Sequence, residues 1–287
     1  MVERVTVAVD GGPASSAALR WVIERARSVS TALEITTVLG SRMEQPDAFE
    51  EVLYRAKETV KNELPDLPIT TRLRWGAAHE QLIAQSRHAD LLVIGTNKTS
   101  AVAGRVSGTL PLRVAGQALC TTIIVPVGWH PGAGAVVAGW AGDDTTDAAL
   151  DFAAKEAARR GEVLTIVHTW NAAPAAAVET SGAAVATELA TTNRQLLDGA
   201  ADRLRLAHPR LRLAKEARVG SAAVAIVRAA SHASLAVVGS RGRGAVAGFF
   251  LGSVSHDVLQ NMPAPVAVVP RRRPIEVYPD VVDDDLL

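Results

Sequence analysis

The chain has 287 residues, 48% hydrophobic and 4% aromatic, with 30 basic residues set against 30 acidic ones. That length suits two domains of about 100–200 residues each, and the charge balance excludes a chain built as a magnet for nucleic acid or anionic membrane. A single cysteine, Cys120, excludes an internal disulfide and a cysteine-based metal cluster.

The opening "MVERVTVAVD" leads straight into a strand, with no basic and apolar leader ahead of it. No apolar run approaches the roughly 20 residues that span a bilayer, so the expected location is the cytoplasm, with no membrane partner. In chain order, strands are predicted at Val5–Val9, Leu33–Val38, Thr70–Leu73, Leu91–Ile94 and Thr122–Val125. A second series follows at Val136–Trp140, Val163–His168, Arg212–Glu216, Leu235–Val238 and Val266–Val269. Leu19, Val22, Ala26 and Val29 recur at helical spacing between the first two strands. Continuous Val/Ile/Leu runs alternating with helical patterns indicate parallel strands covered on both faces.

The two series are copies of each other. "VAVDGGPASSAALRW" from Val7 matches "AGWAGDDTTDAALDF" from Ala138 at an offset of 131 residues. "RHADLLVIGTNK" from Arg87 matches "SHASLAVVGSRG" from Ser231 at an offset of 144, which also sets Pro126 against Pro270. The difference of 13 is an insertion in the second half, most simply in the Ala/Thr-rich segment from Asn171 to Thr187. The expected fold class is α/β: two tandem doubly wound domains, each a five-stranded parallel sheet with helices on both faces. The expected division is a first domain over 1–127, a junction "GWHPGAG" over 128–134, a second domain over 135–271 and an acidic tail over 272–287.

Between the fourth strand and the following helix of the second half lies "GSRGRGAVAGFFLGS", Gly239 to Ser253. In a doubly wound sheet, ligands sit outside the carboxyl ends of the strands, where this loop emerges. Gly239 lets a ligand approach the backbone, and Gly242 can take positive φ. Gly252 and Ser253 open a helix whose first amides lack partners and carry about half a positive charge. The hydroxyls of Ser253 and Ser255 can add hydrogen bonds, which makes the loop a sensible phosphate cradle. Turning a corner accounts for the glycines equally well on spacing alone. The stretch is neither G-x-G-x-x-G nor a Walker P-loop.

Gly239-x2-Gly242-x9-Gly252-Ser253, followed by "VSHDVLQNMPAPVAVVP", resembles the ATP-binding pattern of the universal stress protein family. The resemblance covers nearly the whole chain twice: "VAVDGGPASSAALRW" is similar to the family's first strand and loop, "VLTIVHTW" to its second strand, and "HADLLVIG" and "HASLAVVG" to its fourth. It implies an adenosine-nucleotide site in each half, with ATP and accompanying Mg²⁺ as the expected ligand and AMP or cyclic AMP left open. It implies a nucleoside contact at Asp10, adenine against the backbone of Val38 or Thr169, and phosphates at the glycine loops. It also implies pairing of the halves through their fifth strands, "TTIIVPV" and "PVAVVP", with a homodimer of such pairs left open. An apolar edge strand needs a partner or a cover in any case.

Each half departs from the pattern. Ala141 stands where the second half would carry its Asp10, with Asp143 or Asp144 as nearby substitutes. In the first half Gly95, Gly108 and Thr109 fit, but Lys98 replaces the second glycine. That lysine either disturbs the bend or places an ammonium on a phosphate. Each site is expected to close within its own half.

Other signals are weaker. Consecutive residues of "SVSHD" from Ser253 point in different directions on a helix and form no catalytic relay. The seven histidines show no metal-ligand spacing. The expected protein is therefore a stress-response binding module whose nucleotide occupancy biases its conformation or an unknown protein partner, with at most slow ATPase activity. The alternatives are an adaptor with decayed sites and a nucleotidyl-transferring enzyme of related fold.

Overall fold

The computed structural model describes residues 2–40, 46–97, 109–172, 175–240, 251–262 and 264–271. The first half runs β1 (Glu3–Ala8), α1 (Pro13–Ala26), β2 (Thr31–Leu39), α2 (Pro46–Glu63), β3 (Ile69–Trp75), α3 (Ala78–Gln85), β4 (Leu91–Thr96), α4 (Thr109–Gln117) and β5 (Thr121–Pro126). The second repeats it with β6 (Val136–Trp140), α5 (Asp144–Arg160), β7 (Val163–Trp170), α6 (Ala175–Ala207), β8 (Arg212–Val219), α7 (Ala222–Ala229), β9 (Leu235–Gly239), α8 (Ser253–Gln260) and β10 (Val266–Val269). All ten expected strands are present. The extra residues of the second half lengthen a helix, since α6 has 33 residues where α2 has 18.

The ten strands form one sheet in the order β3-β2-β1-β4-β5-β10-β9-β6-β7-β8. Among the described residues pairing is parallel within each half and antiparallel only between β5 and β10, where Ala267 lies opposite Ile123. The fifth strands therefore cover each other's apolar edges, as the resemblance implied. Helical crossovers accompany the parallel pairing, and the central strands read as apolar runs because helices cover both their faces, whereas the outer strands β3 and β8 are polar and partly exposed.

The core lies in two layers that both cross the seam. On one face Trp21 and Val22 of α1 share a cluster with Ala153 of α5 and Leu197 of α6. On the other, Leu82 of α3 and Val114 of α4 join Ile226 of α7 and Val258 of α8.

The repeat extends to backbone detail. Gly76 and Gly220 follow β3 and β8 at φ 123° and 119°, a region that favours glycine. Their amides donate to Leu39 and Trp170, each at 2.9 Å.

Across the pseudo-twofold seam, Arg25 on α1 meets Glu156 on α5, positions that the repeat makes equivalent. Arg25 Nη1 donates to both oxygens of Glu156 at 2.8 and 2.9 Å, and its Nε donates to Glu3 at 2.6 Å. Arg159 donates to Glu156 at 2.9 Å. Burial alone would lower the basicity of Arg25, but the carboxylates of Glu3 and Glu156 together hold its pKa above the ordinary value. Burial likewise opposes ionisation of Glu156, and the charges of Arg25 and Arg159 outweigh it, so that carboxyl titrates below its usual range.

Candidate functional site

The order β2-β1-β4 brings Val38, Asp10 and Gly95 to one edge of the sheet, at the carboxyl ends of adjacent strands. Asp10 is exposed, and its Oδ1 accepts a hydrogen bond from the Gly12 amide at 2.8 Å. This fixes the turn that delivers Pro13 to the first turn of α1, where a missing N–H costs nothing. The Asp10 amide faces the Ser15 hydroxyl at 3.3 Å. Val38, partly buried, lies opposite Arg74 in register.

Gly95 has a packing reason of its own. A Cβ there would meet the Ala14 carbonyl oxygen at 2.1 Å, so glycine is what lets α1 begin directly against the end of β4. Thr109 is the first residue of α4. Lys98 and Gly108 lie outside the described residues, as does Gly242 in the second half.

The second half repeats the arrangement with different chemistry. Ala141 takes the place of Asp10, and its amide donates to Thr146 Oγ1 at 3.1 Å, as the Asp10 amide does to Ser15. Asp143 Oδ1 accepts from the Thr146 amide at 3.1 Å. That is a helix-capping arrangement at the start of α5, so this carboxylate serves the helix; the side chain of Asp144 lies outside the described residues. Thr169, partly buried on β7, lies opposite Arg218.

The glycine loop is pinned at both ends. The Gly252 amide donates to the Ser240 carbonyl at 2.9 Å, and the Ser240 amide to Val269 at 2.8 Å. The buried Ser255 hydroxyl donates to the Gly239 carbonyl. Gly252 is the N-cap of α8 and supplies no side-chain cap, so the helix keeps first-turn amides for another acceptor. Ser253 is exposed on that first turn, whereas Ser255 is committed to the strand. Ser240 was not singled out by sequence; the matched pair Gly95-Thr96 and Gly239-Ser240 is the signal that marks it. Leu251, just before α8, abuts α4 of the other half: a Cβ on Gly116 would come 3.1 Å from its amide. The end of the second-half loop thus leans on the first half, where the sequence suggested closure within one half.

Trp140, His168 and Trp170 line the carboxyl ends of β6 and β7, at ring separations of 5.3 and 6.1 Å. The ring nitrogens of His168 lie 2.9 Å from the Trp140 carbonyl and 2.8 Å from Asn193 Oδ1. Trp140 and His168 are buried and Trp170 partly so, which accords with packing. Among the described residues no three His, Cys, Asp or Glu side chains gather as metal ligands, and no helix is long and apolar enough to cross a membrane.

The family model described as the universal stress protein family matches residues 1–126 and again 134–270. The chain belongs to the universal stress protein family. Two universal stress proteins of Mycobacterium tuberculosis are each 27% identical to it, over 306 and 288 residues, covering 92% of this chain and 94% and 95% of theirs. The crystal structure of a universal stress protein from Archaeoglobus fulgidus shares the fold with a TM-score of 0.68 at 17% identity, covering 94% of this chain and 98% of that one. This universal stress protein is therefore a tandem member, with two family domains in one sheet.

Proposed function

We propose that this chain is a nucleotide-dependent regulator that binds an adenosine nucleotide, ATP with its Mg²⁺, at the carboxyl edges of its two half-sheets. The observation that carries the reading is the closure at Gly252: strand end and helix start are tied together at Ser240, while Gly252 gives the α8 N-terminus no side-chain cap. Such an end attracts phosphate through aligned N–H groups and the helix dipole. Ser253 adds a hydroxyl, and in the first half Asp10 keeps an exposed carboxylate for a ribose or base. The reaction expected of these groups is recognition: they bind and orient, and occupancy acts only by favouring one conformation or partner over another.

The test is to purify the chain without added nucleotide, denature it and identify what is released. ATP or ADP near one per chain supports the reading. Gly252→Asp then separates charge from fold, because Asp is a preferred N-cap. Its stability should hold while nucleotide affinity falls about tenfold or more through repulsion of the phosphates. An empty protein that also fails to bind ATP, AMP or cyclic AMP on titration would instead support the adaptor, the reading favoured by Ala141 and by the commitment of Asp143 to its helix.

A further inference from the structure

A groove of about 750 Å³ lies in the first half between α3 and the half-open face of β1, β2 and β3, away from the glycine loops. Gln85, the last residue of α3, lines it; the residue is 5% exposed, and neither Oε1 nor Nε2 has a hydrogen-bond partner among the described residues. Arg74 donates from Nη2 to Glu34 at 3.3 Å while its Nε is buried without a partner among the described residues. Arg72 is exposed and makes no ion pair among the described residues. Two residues apart on β3, the two arginines project from the same face.

Apart from Arg74, whose counterpart is Arg218, the second half dispenses with this polar set. By strand register Arg72 corresponds to Glu216 and Thr70 to Ala214, and by helix end Gln85 corresponds to Ala229. Thr6 on the groove floor corresponds to Val137. An alanine ends α7 where the first half keeps a buried amide with both atoms orphaned, a destabilising choice that native proteins seldom make without a use.

The geometry points to a second ligand site in this groove for a small organic anion, its carboxylate or phosphate held between Arg72 and Arg74 and its carbonyl or amide edge met by Gln85. Paired guanidinium groups suit either anion. Where the Gln85 amide sits, neither atom reaches solvent, so the ligand recruits it by a rotamer change that breaks no existing hydrogen bond. The site does not rest on nucleotide binding: Arg74 adjoins Val38 in register, but Arg72 lies a further pair away, opposite Thr36.

The experiment follows the side-chain amide signal of Gln85 and the Nε–H signal of Arg72 by NMR in the full chain, titrated separately with succinate and with inorganic phosphate. The expected result is a saturable shift of both signals with at least one of the two, which names the anion class, and an affinity about tenfold weaker in Arg72→Glu. Gln85→Ala should fold, since the second half carries Ala229 there, and should lose binding while gaining thermal stability. Signals that stay still, shifts equal in wild type and Arg72→Glu, or undiminished affinity in Gln85→Ala would overturn the proposal.

Discussion

Gly95 leaves no space for a side chain, because the atom its added Cβ would strike is backbone, the Ala14 carbonyl oxygen at 2.1 Å. Backbone cannot rotate away as a side chain can, so Gly95→Ala should cost about 3 kcal/mol, read as a fall in the urea midpoint at unchanged slope. Cys120 carries the opposite message, since burial pushes its thiol up to about 12. Thiolate is the reactive form, so iodoacetamide at pH 8 should modify Cys120 only in denaturant; rapid labelling of the native protein would contradict the packing. At this scale the sequence was informative about type and silent about distance. The glycine pattern around Gly95 and Gly239 was plain, as was the lone cysteine, but no spacing rule reports that Gly95 touches Ala14, or that Asp143 is taken up by Thr146.

Between elements, the seam depends on Arg25 and Glu156, which lie 131 residues apart in the chain. Glu156→Gln takes a carboxylate from buried Arg25, which keeps Glu3, and should lose about 2 kcal/mol near neutral pH. The folded carboxyl titrates below the ordinary glutamate range. Its contribution is therefore full above that range and is lost as the pH falls through the lower folded value. The gap between wild type and Glu156→Gln should accordingly close under acid in urea titrations, and a gap independent of pH would rule out the charge as its source. Strands were legible because β-branched and leucine runs between helical patterns allow few other folds; β6 and β10 match the expected bounds. The ends of β7 and β8 were less so, since Thr169, Trp170 and Val219 extend the ladder through pairing that propensity does not encode. The ion pair was invisible, because its two residues become neighbours only after the halves assemble.

For the whole molecule, both core layers draw residues from each half, so the halves should unfold together. A single calorimetric transition, with equal calorimetric and van't Hoff enthalpies, is the expected outcome. Glu156→Gln should shift that whole transition; a change in only part of its amplitude would mean the halves melt separately. The duplication itself could be read from the matched strings, and it is what makes the seam's asymmetry meaningful. In a pair of identical first domains Arg25 would face Arg25, and in a pair of second domains Glu156 would face Glu156; the mixed pair sets opposite charges against each other at these two positions.

The antiparallel join of β5 with β10 turns the second half end for end. The carboxyl edge that carries Asp10 and Gly95 consequently looks one way along the strands, and the edge that carries Gly239 and Gly252 looks the other. The protein is two-ended, like a double-headed key: under the proposed function, ligands at the two edges would not share a solvent pocket, and a partner at one end would leave the other clear. Coupling between two such ligands would have to pass through the sheet itself, by way of the seam.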